Sequence, residues 1–367
     1  MTLKIANLAG DGIGPEVVEQ AFAVLDATAP GSGFEYARTD FLFSATHFLE
    51  TGHVLTDDDI QTLREYDAIM LGAVGGRPND PRLAGGVIEK GILLKLRFDL
   101  DQYVNLRPVK LYPGIETPLK NKTADDIDFV CVRENTEDLY CGLGGILRQG
   151  TPHEVANQTM VATRHGVERC VRYAFETAQA RGASGGRKKL TLVHKTNVLN
   201  FAGDTWLRTF NEIAEEFPGV ETNYHHVDAC CMFMVTRPED YDVIVVPNMF
   251  GDIITDLGAA IAGGMGIASS GNLDPTGQSP SMFEPVHGSA PDIAGQNVAN
   301  PIAAIDSMGL LCREVGRIQN NASAVRAGEA IGAAVQRVTP QFAGKSLDRS
   351  GYGTDEVGRM VIDALNG

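Results

Sequence analysis

The chain has 367 residues, 43% of them hydrophobic, with 41 glycines, 47 acidic side chains against 31 basic ones and a formal net charge of −16. Such a length holds a large core and points to about two domains, and the glycine-rich, moderately apolar mixture is that of an α/β enzyme. The acidic balance disfavours nucleic acid and anionic membrane as partners, because both reward a basic face; a small anionic substrate needs only a local cluster of cations.

Taken in order, short apolar runs alternate with longer amphipathic ones, the pattern of a β/α fold. The N-terminus enters a strand at Leu3–Leu8 with no basic segment, long apolar core or cleavage site of a secretory leader. No apolar run reaches membrane-spanning length, so a cytoplasmic protein is expected. Gly10-Asp-Gly12-Ile-Gly14-Pro15 follows the strand and opens a helix over Pro15–Ala27. A dinucleotide fingerprint has that context, and Glu35 lies about twenty residues on, where such a site carries an acid. The spacing, however, is G-x-G-x-G, and Pro15 takes the place of the third glycine. Proline is a good first helical residue, so a tight strand-to-helix turn is expected rather than a Rossmann site. Further helices are expected at Thr56–Glu65, Gly166–Arg181, Gly203–Glu216 and Ala324–Val338, and strands at Ala68–Leu71, Phe129–Val132, Leu190–Val193 and Val243–Val246. Arg181–Lys189 is glycine-rich and basic and reads as an exposed connector. Cys131, Cys141, Cys170, Cys230, Cys231 and Cys312 are dispersed without C-x-x-C spacing, which predicts free thiols in a reducing compartment.

Several constellations can carry chemistry. In Asn248-Met-Phe-Gly-Asp252-Ile-Ile-Thr-Asp256-Leu257 two carboxylates stand four apart in an apolar run. On a helix they share a face, while Ile253, Ile254 and Leu257 point mostly toward a core. Two like charges in apolar surroundings repel and resist desolvation; a hard divalent cation such as Mg²⁺ or Mn²⁺ removes both problems, and a solvated acidic face is the plain alternative. Arg97, Arg107 and Arg133 each adjoin an apolar stretch. A guanidinium there wants a carboxylate, from a structural acid or from a shared dicarboxylate ligand. Tyr140 follows in Arg133-Glu-Asn-Thr-Glu-Asp-Leu-Tyr140, and Lys195 in Leu192-Val-His-Lys-Thr-Asn197 ends a strand, where a lysine near acids can serve as a tuned base. His225-His-Val-Asp-Ala-Cys-Cys231 admits a zinc reading, since on a strand His226, Asp228 and Cys230 share a face. No second ligand pair has zinc spacing, and Asp228 as an oxygen ligand beside Asp252 and Asp256 is preferred. Glu284-Pro-Val-His-Gly-Ser-Ala-Pro-Asp-Ile-Ala-Gly295 lacks hydrophobic periodicity. It reads as a loop whose small residues let backbone N–H groups approach a ligand.

Together these segments, from Gly10-Asp-Gly-Ile-Gly-Pro15 to Gly353-Thr-Asp-Glu-Val-Gly358, resemble the metal-dependent β-decarboxylating dehydrogenases acting on isopropylmalate, isocitrate, homoisocitrate and tartrate or malate. Leu93-Leu-Lys-Leu-Arg97, Val193-His-Lys-Thr-Asn-Val198 and Pro280-Ser-Met-Phe-Glu-Pro-Val-His287 bring the chain nearest to the isopropylmalate branch. The resemblance implies an α/β fold of two domains with a central cleft, not a Rossmann fold. Residues 1–102 and 263–367 would form the cofactor-side domain, and 103–262 the dimerisation and metal-side domain, with an arm at about 141–165 reaching a second subunit. It implies a homodimer with shared sites, so that Lys195 and Asp228 serve the neighbour's cleft. Arg97, Arg107 and Arg133 would hold substrate carboxylates; Asp252 and Asp256, with the other subunit's Asp228, would hold Mg²⁺ or Mn²⁺. Lys195 would take the hydroxyl proton and Tyr140 would protonate the enolate left after CO₂ departs.

The resemblance also implies a cofactor site at Glu284, His287, Gly288, Ser289, Ala290, Asp292, Ile293 and Asn300. Asp292 falls where the family contacts the adenosine ribose. A carboxylate there accepts from ribose hydroxyls and repels a 2′-phosphate, so NAD is expected over NADP. Leu93 and Leu94 match the apolar pocket for an isopropyl group, worth on the order of 2 kcal/mol, and 3-isopropylmalate is the expected substrate. Two departures leave other readings open. Arg133-Glu-Asn-Thr-Glu is nearer the isocitrate and tartrate enzymes, and Glu137-Asp138-Leu139 replaces a glycine-containing stretch. A tartrate- or D-malate-type enzyme, a catalytically silent regulatory subunit and a zinc hydrolase on His225–Cys231 are the alternatives.

Overall fold

A run such as Val243–Val246, apolar at every position, is what a strand buried on both faces requires. In the computed structural model, which describes residues 2–77, 79–344 and 351–365, its side chains are fully buried. In chain order the strands are β1 (Thr2–Gly10), β2 (Glu35–Asp40), β3 (Ala68–Ala73), β4 (Val104–Lys110), β5 (Asp128–Glu134), β6 (Gly144–Leu147), β7 (Val155–Gln158), β8 (Lys189–His194), β9 (Glu221–His226), β10 (Val243–Val246), β11 (Ser269–Leu273) and β12 (Ser281–Pro285). Ten of them make one sheet in the order β2-β1-β3-β12-β11-β4-β5-β10-β8-β9. Pairing is parallel toward both edges and antiparallel along β12–β11–β4–β5. After residue 263 the chain returns to insert β11 and β12 between β3 and β4, so the half-sheet around β1 is built from both ends of the sequence.

The expected helices form at Gly14–Ser32, Asp57–Leu63, Arg164–Ala183, Asn200–Ala214 and Ala322–Val338. Thr56 and Asp59 close a capping box on the second of them. Gly10 and Gly12 take left-handed φ values of +76° and +59°, which a tight turn needs and glycine permits. A Cβ on Gly12 would lie 1.9 Å from the Ser289 carbonyl oxygen, so this turn is also where the loop after β12 docks. All six cysteines are free, and no helix among the described residues is long and apolar enough to cross a membrane.

Two readings of the sequence are corrected. Val227–Thr236 is a helix, not a strand, so His226, Asp228 and Cys230 do not line up on one face. Cys230 is buried, and burial pushes its thiol up to about 12; the His226 ring is bonded to the Tyr224 hydroxyl, and no zinc triad forms. In the helix Asn248–Ile261, Ile254 is buried and Leu257 half-buried as expected, but Ile253 is 51% exposed. Exposed Met232 and Val235 lie on the Val227–Thr236 helix, which packs against it.

The arm region is a hairpin apart from the main sheet. β6 and β7 pair only with each other, and their residues are exposed throughout. Leu143, Ile146, Leu147 and Val155 put apolar side chains into solvent there. A lone two-stranded hairpin is marginal in water, and a contiguous exposed apolar surface marks a partner site.

Candidate active site

The centre of the molecule holds three arginines on three elements. Arg97 lies on the short helix Lys95–Asp99, Arg107 on β4 and Arg133 near the end of β5. Arg97 and Arg133 are 5% and 1% exposed, and Arg107 is little more open. Arg133 Nη1 donates to Asp252 Oδ1 at 2.5 Å and its Nε to Asn248 Oδ1 at 2.9 Å. Arg107 Nη1 donates to Thr255 Oγ1 at 2.9 Å and reaches Asp256 Oδ1 at 3.4 Å. Arg97 Nη2 donates to Glu284 Oε1 at 3.2 Å. Each guanidinium carries five N–H donors, and these contacts do not use them up. Nε of Arg97, Nε of Arg107 and Nη2 of Arg133 are buried with no acceptor, a costly state that a bound anion relieves. Burial, followed by the charges of Arg133 and Arg97, lowers Arg107 to about 10; burial, partly opposed by Glu284, also lowers Arg97.

The helix Asn248–Ile261 supplies the acidic side of the site. Its approach depends on Gly251, because a Cβ there would come 2.5 Å from the Arg133 Cγ. Asp252 and Asp256 fall on the arginine-facing side as their i, i+4 spacing predicts. Burial raises the Asp252 pKa, but Arg133, the Tyr140 bond and Arg107 outweigh it and hold the carboxyl below its ordinary value. Tyr140, in the 3-10 turn Asp138–Cys141, donates to Asp252 Oδ2 at 3.0 Å, and the Arg133 guanidinium lies 5.3 Å from its ring centre. Burial, opposed by Arg133 and reinforced by Asp252, raises the phenol above its ordinary range and keeps it protonated.

Leu93 and Leu94 end a π-helical turn, Glu89–Leu94, that runs directly into the helix of Arg97. Both are half-buried and lie about one turn before the guanidinium. Leu93 rests on a small apolar cluster that includes Leu8, Leu63, Ile92 and Leu96.

Glu284 ends β12 and also accepts from Asn272 Nδ2 at 2.9 Å. The loop that follows carries His287, Gly288, Ser289, Ala290, Asp292, Ile293 and Asn300 up to the helix Ile302–Ile318. The Ser289 carbonyl accepts from Ile13 N at 2.9 Å, Ala290 has φ +38°, and the Asn300 side chain caps Ile302 N at 3.1 Å. His287 Nδ1 donates to the Gly288 carbonyl at 3.1 Å, its Nε2 is buried without a partner, and burial lowers that imidazole's pKa. Asp292 is exposed.

Among the described residues, Lys195 and Asp228 make no ion pair with this cluster. They pair with each other at 2.8 Å, and the Asp228 side chain is 68% exposed; the bond from Lys195 holds that carboxyl below its ordinary value. Among the described residues no group of three His, Cys, Asp or Glu side chains is placed to hold a metal ion, so one chain does not bring Asp228 to Asp252 and Asp256. Two adjacent hard oxygen donors on one face suit Mg²⁺ or Mn²⁺, with an incomplete ligand set.

Sequence reasoning missed the neutral supports Asn248 and Thr255, and it placed Glu284 only with the cofactor, not with Arg97. Spacing held part of the signal: Asn248 and Thr255 flank Asp252 at i−4 and i+3. Buried Glu134, which burial raises to about 7 against bonds from Thr136 and Glu137, gave no signal.

A family model described as isocitrate/isopropylmalate dehydrogenase matches residues 4–361. The 3-isopropylmalate dehydrogenase of Leifsonia xyli subsp. xyli is 55% identical over 350 residues, covering 93% of this chain and 96% of that protein. That of Clavibacter michiganensis subsp. michiganensis is 53% identical over 365 residues, covering 100% and 98%. Among solved structures, isocitrate dehydrogenase from Methylococcus capsulatus superposes with a TM-score of 0.83 at 32% identity and covers all of both chains.

Proposed function

From the premise that this chain belongs to the isocitrate/isopropylmalate dehydrogenase family, we propose that it oxidatively decarboxylates 3-isopropylmalate to 4-methyl-2-oxopentanoate, with NAD⁺ as oxidant and Mg²⁺ or Mn²⁺ as metal, in leucine biosynthesis. The observation that carries this reading is the trio of buried guanidiniums with unfilled donors, a receptor for a small dicarboxylate. Relatives named for isopropylmalate favour that acid over a tartrate- or D-malate-type substrate.

Arg97, Arg107 and Arg133 bind and orient the two substrate carboxylates. Leu93 and Leu94, one turn before Arg97, receive the isopropyl group. Lys195 of a second copy takes the C2 hydroxyl proton, and the dinucleotide, when bound, would supply the hydride acceptor for C2. Asp252 and Asp256, with the second copy's Asp228, are the residues to hold the cation, which when bound supplies positive charge at the C2 oxygen. Tyr140, protonated and aimed at Asp252, delivers its proton to C3 once CO₂ has left. Glu284, His287, Gly288, Ser289, Ala290, Asp292, Ile293 and Asn300 receive the dinucleotide. Exposed Asp292 favours NAD⁺ by repelling a 2′-phosphate.

The assembly is a homodimer in which each cleft takes Lys195 and Asp228 from its neighbour. Support comes from the lack, among the described residues, of a ligand group that joins Asp228 to Asp252 and Asp256, and from the apolar faces left exposed at Met232, Val235, Ile253 and the β6–β7 hairpin. We place one domain at 1–102 with 263–367 and the other at 103–262, since β11 and β12 return to the β1 half of the sheet.

The test is NAD⁺ reduction with Mn²⁺ on 3-isopropylmalate, D-malate, tartrate and isocitrate. A preference for 3-isopropylmalate of about a hundredfold or more in kcat/KM, about 2.7 kcal/mol of discrimination, is expected. Equal or malate-favouring activity would assign the pocket to another acid.

A further inference from the structure

The turn that carries Tyr140 is fastened to the helix that carries Asp252 at two points. One is the bond from the Tyr140 hydroxyl to Asp252. The other is made two residues earlier by Asp138. Its Oδ2 accepts from Met249 N at 2.8 Å in the first turn of the Asn248–Ile261 helix, and its Oδ1 accepts from Leu139 N at 2.8 Å. Asn248 Nδ2 adds a bond to the Glu137 carbonyl at 3.3 Å. On the opposite side the Glu137 carboxylate accepts from Thr163, the N-cap of the helix Arg164–Ala183, and it occupies the space that a Cβ on Gly166 would need. The two acids thus clamp the turn between two helix starts, and neither contacts the arginines.

The arrangement has costs that packing alone does not explain. Asp138 is 2% exposed and holds φ at +71°, a left-handed conformation that aspartate tolerates better than most residues but not without strain. Burial also pushes its carboxyl upward, against the two backbone bonds and Arg133. A strained, desolvated acid two residues from a phenol, reaching to within three residues of that phenol's acceptor, fixes the spacing of the pair.

We propose that Asp138 is a positioning residue: it locks the turn onto the first turn of the Asn248–Ile261 helix and so holds the Tyr140 hydroxyl at Asp252. The consequence for turnover rests on the reading of Tyr140 as proton donor; the placement itself does not. By the same geometry Glu137 and Asp138 act as supports of the turn, since their carboxylates are taken up by Thr163, Leu139 and Met249.

Asp138→Gly keeps the left-handed backbone and removes the tether, whereas Asp138→Asn keeps an acceptor for Met249 N and tolerates the same φ. In 3-isopropylmalate turnover, Asp138→Gly should lose roughly 10- to 100-fold in kcat with KM within about twofold, because misplacement of about 1 Å costs on that order. Asp138→Asn should recover most of kcat. The placement is read separately by ¹⁹F NMR of the full-length protein carrying 3-fluorotyrosine, with the Tyr140 resonance assigned through Tyr140→Phe. That resonance should shift and broaden in Asp138→Gly and stay in place in Asp138→Asn. An unmoved Tyr140 resonance in Asp138→Gly overturns the proposal, whereas an unchanged kcat beside a moved resonance upholds the placement and faults the reading of Tyr140 as proton donor. A wild type that ignores 3-isopropylmalate would instead fault the substrate assignment, and the NMR arm would still decide the placement.

Discussion

The two parts of the proposed catalytic set are held very differently. Arg97, Arg107 and Arg133 are largely buried, with Asp252 and Tyr140 half-buried beside Arg133, and nitrogens of all three guanidiniums lack acceptors. Lys195 and Asp228 lie near the surface, bonded to each other. On the proposed roles, a chain builds its own receptor for an anion yet leaves the proton acceptor and one metal ligand outside it. In the proposed assembly the excess charge in the first region meets the substrate, and the exposed pair in the second serves a second copy.

Removing the acid from the buried region should have the largest effect. Tyr140→Phe is expected to lower kcat by about 10²- to 10⁴-fold, the range of general acid catalysis, with KM for the hydroxy acid nearly unchanged in steady-state kinetics. Next, Arg107→Met should lower kcat/KM by about 10²-fold, the loss of a charge-assisted contact. It should nevertheless melt no lower than wild type in calorimetry, because burial and two neighbouring guanidiniums already disfavour this cation. A lower melting temperature would show that the cluster stabilises the fold instead of being held at its expense.

On the exposed side, Ile253→Asp should give monomers by sedimentation and cut activity by about tenfold or more, while the fold changes by under about 0.5 kcal/mol as at other surface positions. Dimers with full activity would place the contact elsewhere. At Glu134 the expected effect is on stability and its dependence on pH. Its folded-state pKa of about 7 lies above its ordinary 4.5, so the native state binds the proton more tightly. The stability from this group is complete below pH 4.5 and is lost as pH rises through 7. Glu134→Gln removes that slope, so between pH 5 and pH 8 denaturant melts should move in the variant's favour by on the order of 1–3 kcal/mol.

The contrast also explains what the sequence could reveal. Strands such as Val243–Val246 and the i, i+4 pair Asp252–Asp256 were legible because burial and helical spacing leave simple periods. β4 and β11 were not. β4 carries Asn105, Arg107 and Pro108, and β11 reads Ser-Ser-Gly-Asn-Leu, yet both are largely buried. Their polar side chains bond across the strands: Asn105 donates to Ser270 and Asn272, and Asn135 to Asn272. Such a network has no hydrophobic period, and it lies at the seam beside the arginines. The helix Val227–Thr236 was misread because the two histidines that end β9, just before it, and its own paired cysteines imitate a ligand set. The loop after β12 was legible as a loop, but its docking on Gly12 was not, since that contact joins residues far apart in sequence.

The measurement that bears most directly on the divided site is complementation between two inactive variants. Lys195→Met and Tyr140→Phe proteins are unfolded together in equal amounts, refolded and assayed. In a mixed dimer one cleft combines an intact Tyr140 with an intact Lys195 from the neighbour, so activity should recover toward about a quarter of wild type. A mixture no more active than its components would contradict the account and place Lys195 in the same chain's cleft.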